Sequence, residues 1–259
     1  MTIMARLSIN LALIAAFAAA ASVSVFAVDW NQDPLVGLEL DTKHVRRVSL
    51  PQFPNRDVSL PDLVEKLQPS VVKVLTGGEI GWGTGFIVDR RGYLVTNANV
   101  TGDCERIQIQ LSDGSIVWGV VVALQIARDL ALIKIESTRI GWPALALAEG
   151  NPRPGQRVVT LGYPAGLGFS VAMGIVSGLG RHVKPREGAT DRTGVAVTYT
   201  QTDAALNRGG AGGPLVDMAG RVVGVNTMII SQVGESNGLG LAITAADVKA
   251  FLDDVLYVK

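Results

Sequence analysis

The feature that most constrains this 259-residue chain is a rhythm of short apolar runs. They fall at residues 71–75, 83–89, 93–96, 107–111, 116–122 and 130–135. The joints between them carry hairpin chemistry, Asp89-Arg-Arg-Gly92 and Ser112-Asp-Gly114, residue types that accept the backbone angles of a tight turn. Residues 106–111 alternate polar and apolar, as a half-buried strand does. A second set follows a proline-bearing joint at 142–154, with runs at 157–162, 170–178, 195–200, 214–217, 222–227 and 239–243. Two runs of about six strands without intervening helices predict an all-β domain of two packed, closed six-stranded antiparallel barrels, because closure leaves no strand edge exposed. Apolar residues at helical spacing predict a short helix over Leu60–Leu67 and an amphipathic one over 245–258. The predicted limits are about 64–140 for barrel one and 145–245 for barrel two, within a domain of 62–259.

Composition narrows the function. Hydrophobic residues make up 48% and charged residues 18%, which suits a buried core and argues against disorder. With 23 basic and 23 acidic residues the formal charge is zero, so nothing calls for nucleic acid or an anionic membrane surface. A single cysteine, Cys104, excludes an intrachain disulfide; it reads as a small buried or half-buried side chain, with pairing to another chain as the alternative. No spacing of ligand residues suggests a metal or cofactor, and His44 and His182 stand apart in polar, basic surroundings as surface residues.

Residues 1–27 read as a signal peptide: Arg6, then the apolar Leu11-Ala-Leu-Ile-Ala-Ala-Phe-Ala-Ala-Ala-Ala21, then the small-x-small Val25-Phe-Ala27. An uncleaved anchor is the rival reading, since residues 7–28 carry no charge. Either way the remainder is exported, so a membrane enters only if the leader is retained. Residues 28–61, polar and broken by Pro34, Pro51, Pro54 and Pro61, read as an extended arm, either a mobile leader or a contact with a sister subunit.

The chemistry gathers in Gln201-Thr-Asp-Ala-Ala-Leu-Asn-Arg-Gly-Gly-Ala-Gly-Gly-Pro-Leu215. Glycines at 209, 210, 212 and 213 allow backbone conformations that a Cβ would forbid and turn N–H groups outward. Such a turn holds a developing oxyanion around a nucleophile. The stretch resembles the nucleophile loop of the HtrA/Deg family of trypsin-like serine proteases, Q-T-D-A-A-I-N-x-G-N-S-G-G-P-L. Two more segments resemble the same family: Gly83 to Val100, like the histidine region ending T-N-x-H-V, and Arg128-Asp-Leu-Ala-Leu-Ile-Lys-Ile135, like the aspartate region T-D-L-A-V-L-K-I. All three stand in the family's order, and the resemblance covers roughly residues 60–259.

The resemblance implies a chymotrypsin-like fold and places a catalytic triad at Asn99, Asp129 and Ala211, with an oxyanion hole at Gly209 and Ala211. Only the aspartate is present. In the Ser–His–Asp arrangement an imidazole takes the serine proton and returns it to the leaving amine. The Asn99 carboxamide does not titrate near neutrality, and Ala211 has no attacking oxygen. Loss of serine or histidine alone costs about 10⁶-fold in turnover, and loss of both little more. Ala211 alone is what deliberate inactivation of a serine would leave; Asn99 and Gly210 beside it fit natural decay of the site.

The expectation is therefore a pseudoprotease of bacterial periplasm, or anchored to the inner membrane facing it. It would bind extended peptide, unfolded protein or an active protease paralogue as chaperone, scaffold or regulator. A residual hydrolase with an unconventional nucleophile, and a surface ligand or metal binder, are the alternatives. The resemblance implies a cleft in which peptide adds to a strand edge, matched here by Gly238, Leu239, Gly240 and Leu241. It also implies trimers built through N-terminal segments, and peptide-binding PDZ modules after the last helix, which residues up to Lys259 do not include.

Overall fold

A computed structural model of the chain describes residues 59–76, 81–182, 197–231 and 236–256. The expected leader, nearly all of the 28–61 arm and His44 lie outside the described residues. The arm's last residues instead open a helix, α1 (Leu60–Leu67). Ser59 caps it by accepting from the Asp62 N–H, and Pro61 sits in the first turn, where its missing N–H costs nothing.

Barrel one comprises β1 (Val71–Leu75), β2 (Trp82–Asp89), β3 (Tyr93–Thr96), β4 (Arg106–Gln110), β5 (Ile116–Gln125) and β6 (Leu130–Ile135), closed in the order β1-β2-β3-β6-β5-β4. Barrel two comprises β7 (Arg157–Gly162), β8 (Ser170–Arg181), β9 (Tyr199–Thr202), β10 (Pro214–Asp217), β11 (Val222–Ile229) and β12 (Gly240–Thr244), closed in the order β10-β11-β12-β9-β8-β7. The pairings are antiparallel throughout. The strand expected over 195–200 is displaced to Tyr199–Thr202 among the described residues. Its polar Gln201 and Thr202 are held by pairing on both sides, with β8 and β12, a tertiary pull that local hydropathy does not register.

Three clusters of buried side chains form the core. Val72, Val74, Ile87, Leu94, Ile107, Ile109 and Ile133 converge from five strands of barrel one and fill it. Val158, Val176, Leu215, Val223 and Ala242 do the same in barrel two. The largest cluster joins Phe86, Val95, Leu130 and Leu132 of barrel one to Val159, Leu161, Val225 and Ile243 of barrel two. Leu63 and Leu67 of α1 and Val248, Phe251 and Leu252 of α3 (Ala245–Leu256) complete it. The two barrels thus share one apolar wall.

Between β3 and β4 a single-turn helix, α2 (Ala98–Thr101), carries Asn99. A 3-10 turn at Ile126–Arg128 delivers Asp129 in the left-handed region, φ 53°. Among the described residues no helix is long and apolar enough to cross a membrane, and no three His, Cys, Asp or Glu side chains group closely enough to hold a metal ion. Cys104 is half-buried and unpaired in any disulfide.

Candidate active site

Asp129 anchors the site. One carboxylate oxygen accepts from the Asn99 backbone N–H at 2.8 Å; the other accepts from the Asn99 Nδ2 at 3.0 Å and the Thr227 hydroxyl at 2.8 Å. Its own carbonyl accepts from the buried Asn97 Nδ2 at 2.8 Å. Asn99 comes from barrel one and Thr227 from β11 of barrel two, so the carboxylate ties the barrels together across their junction. Burial raises the Asp129 pKa, opposed by hydrogen bonds from the Asn99 N–H, the Thr227 hydroxyl and the Ala98 N–H.

The glycine-rich loop lies on β2. The Thr84 N–H donates to the Ala211 carbonyl at 2.9 Å, and the Thr84 hydroxyl donates to the Gly209 carbonyl at 2.7 Å while accepting from the Tyr163 N–H at 3.0 Å. The Thr96 hydroxyl donates to the Thr84 carbonyl at 2.7 Å. Gly212 has φ +84°, and a Cβ there would collide with the Thr84 carbonyl and the Thr96 hydroxyl. Only glycine lets the loop sit this close to barrel one. Gly209, at φ +89°, is covered by Trp82, whose indole N–H donates to the Tyr163 carbonyl at 3.0 Å.

Along the loop the backbone donors divide in two. The Gly210 N–H donates to Asn207, the Gly212 N–H to Asn226 and the Gly213 N–H to Gly210. The Gly209 and Ala211 N–H groups donate to no acceptor among the described residues. A pocket of about 40 Å³ opens beside Gly210, lined by Leu161, Ala172, Ala205, Leu206 and Asn226 among others. In chemical terms, a carboxylate is oriented on a carboxamide, two backbone donors are unspent, and a methyl group stands between glycines where an attacking atom would be needed.

Residues 83–225 match the profile of the trypsin-like peptidase domain family. The chain belongs to that family, in its HtrA/Deg branch. A probable periplasmic serine endoprotease, DegP-like, of Chlamydia trachomatis is 34% identical over 209 residues, covering 79% of this chain and 38% of the relative. A probable periplasmic serine protease, do/HhoA-like, of Haemophilus influenzae is 30% identical over 254 residues, covering 82% and 53%. Among solved structures, the HtrA-type protease AlgW with tripeptide superposes with a TM-score of 0.64 at 34% identity, covering 75% of this chain and 64% of that one. The serine endoprotease from Yersinia pestis gives 0.64 at 30% identity, covering 77% and 67%. The chain spans about two-fifths of the length of the Chlamydia relative. The two-barrel fold expected of the HtrA/Deg type is the fold observed.

The structure corrects one part of the site reading. Gly240 and Leu241 were expected at a free strand edge, but β12 is paired on both sides, with β11 and with β9. Leu239 is likewise engaged: its carbonyl accepts from Ile230 and its N–H donates to the Asn237 side chain. Gly238 turns the chain at φ +81°. A stretch of strand paired on both sides has no edge to offer. One stretch beside the site with a single partner strand is on β11: Met228 and Ile229 pair with β12, while the register with β10 stops at Val225.

Thr84, Thr96, Trp82 and Thr227 were not singled out from the sequence, although each helps build the site. A buried threonine in a strand reads as ordinary strand propensity. His182, read as a surface residue, lies exposed after β8.

Proposed function

We propose that this chain is an exported, periplasmic HtrA/Deg homologue that binds extended peptide or a protein partner without cutting it. The observation that carries the reading is the division within the site. The supports of a serine protease centre persist around positions that offer no base and no nucleophile. Asp129 holds Asn99 through two hydrogen bonds, and the Gly209 and Ala211 N–H groups are unspent. Asn99, Asp129 and Ala211 are then the triad-equivalent positions, and Gly209 with Ala211 the oxyanion-hole equivalent.

The nearby hydroxyls of Thr84, Thr96 and Thr227 donate to Gly209, Thr84 and Asp129 respectively. None is paired with an imidazole, which disfavours a substitute nucleophile. A bound segment would pair its backbone with the open side of β11 at Thr227–Ile229 and place one small side chain in the pocket beside Gly210. The Chlamydia relative is described as a probable periplasmic serine endoprotease, which supports the location.

The test is labelling of the purified chain with a fluorophosphonate and assay on casein. Neither labelling nor hydrolysis is expected, whereas the Asn99→His/Ala211→Ser double variant should acquire both. Labelling of the unmodified chain would overturn the proposal.

A further inference from the structure

The glycine-rich loop keeps two backbone donors that the fold does not use. Its alternate N–H groups are spent within the chain, that of Gly210 on Asn207 and that of Gly212 on Asn226. Those of Gly209 and Ala211, on either side of Gly210, meet no acceptor among the described residues. Their directions are nonetheless fixed. The Gly209 N–H shares a peptide plane with the Arg208 carbonyl, which accepts from the Ala165 N–H at 2.7 Å. The Ala211 N–H shares one with the Gly210 carbonyl, which accepts from the Gly213 N–H at 3.2 Å. In a planar trans peptide the N–H points opposite to the C=O, so anchoring each carbonyl aims each donor. Gly209 is buried and Ala211 half-buried, and a donor left unpaired in such a place is costly. The pair calls for an acceptor from outside the chain.

We propose that this acceptor is the C-terminal carboxylate of a bound peptide, so that the cleft captures chain ends. The inference rests on the reading of the chain as a peptide binder and names the part of the ligand that the site grips. Two observations favour a carboxylate over the neutral carbonyl of a continuous segment. First, closely spaced backbone donors with a residue in the left-handed region, here Gly209 at φ +89°, form a concavity suited to anions. Hydrogen bonds to an ionised acceptor are about twice as strong as those between neutral groups. Second, the charge along the loop has the matching sign. Arg208 is the sole charged residue between Asp203 and Asp217; it precedes Gly209 and is exposed, which favours a negative group there.

The pocket beside Gly210 supplies the other half of the recognition. At about 40 Å³ it has room for a side chain of about three non-hydrogen atoms. None of the residues lining it is ionisable. The terminal residue is therefore small and uncharged: alanine, serine, threonine or valine.

Affinity selection on the unmodified chain tests this, using two pools of random octapeptides alike except for a free or an amidated C-terminus. Peptides ending in those four residues are expected from the free-acid pool. Amidating a selected peptide should weaken its binding about 10-fold or more in fluorescence polarisation. In nitrogen–proton correlation spectra the Gly209 and Ala211 amides should move downfield with the acid. Ala211→Asp, which sets a carboxylate of the chain's own beside the donors, should remove the advantage of the acid over the amide, with circular dichroism checking the fold. Equal binding of acid and amide would overturn the inference and leave the peptide-binding reading standing. An acid preference that Ala211→Asp leaves unchanged also overturns it, since the carboxylate then sits elsewhere. Retention of no peptide from either pool overturns both.

Discussion

Burial holds the Asp129 carboxyl above its ordinary pKa of 3.8, and the hydrogen bonds it accepts offset this only in part. No cation stands in the first ring of partners, which are an N–H, a carboxamide and a hydroxyl. The native state therefore keeps the Asp129 proton to a higher pH than the unfolded chain does. On protonation alone, this residue's contribution to stability is greatest in acid and declines as the pH rises from 3.8 through the raised native value, then levels off. Asp129→Asn removes that titration. The stability of the unmodified chain relative to Asp129→Asn should fall between acid and neutral pH when urea unfolding is followed at several pH values. A difference that does not change with pH would show that the carboxyl is not desolvated.

The element that matters most is the loop from Asn207 to Gly213, and what holds it is a threonine on the opposite barrel. The Thr84 hydroxyl serves two buried backbone groups, the Gly209 carbonyl and the Tyr163 N–H. Replacing it with the near-isosteric valine leaves both unpaired in a dry place, so Thr84→Val should cost about 3 kcal/mol in urea unfolding. A loss below about 1 kcal/mol would mean that the loop holds its shape unaided. The same substitution in the Asn99→His/Ala211→Ser background should abolish any recovered fluorophosphonate labelling, because the Gly209 and Ala211 N–H groups are aimed by the backbone that Thr84 anchors.

Across the whole molecule, the shared cluster between the barrels predicts joint unfolding. Phe86 is fully buried on β2 within the cluster that barrel two and both terminal helices complete. Phe86→Ala should lower the stability of one cooperative transition by about 3–5 kcal/mol. Calorimetry that resolved two transitions, with only the first displaced, would show that the barrels stand independently. The site depends on this junction, since Asn99 and Asp129 belong to one barrel and Thr227 and the glycine-rich loop to the other.

Most of the fold was legible because barrel strands announce themselves locally. Alternating apolar residues and glycine turns marked out twelve strands and two terminal helices, and the three motifs marked Asn99, Asp129 and Ala211. That a carboxamide and a methyl offer neither a base nor a nucleophile is likewise read from residue type alone. Three things were decided only by tertiary structure. Barrel closure occupied both edges of β12, left a singly paired stretch on β11 and drew polar Gln201 and Thr202 into β9. The meeting of the barrels turned Thr84 and Thr227, ordinary strand residues in sequence, into the supports of the site. Packing settled which side chains of β5 face the barrel-one core, Val117 and Val121 among them. Local sequence encodes which backbone shapes are cheap; which edges and faces stay open depends on contacts between residues far apart in the chain.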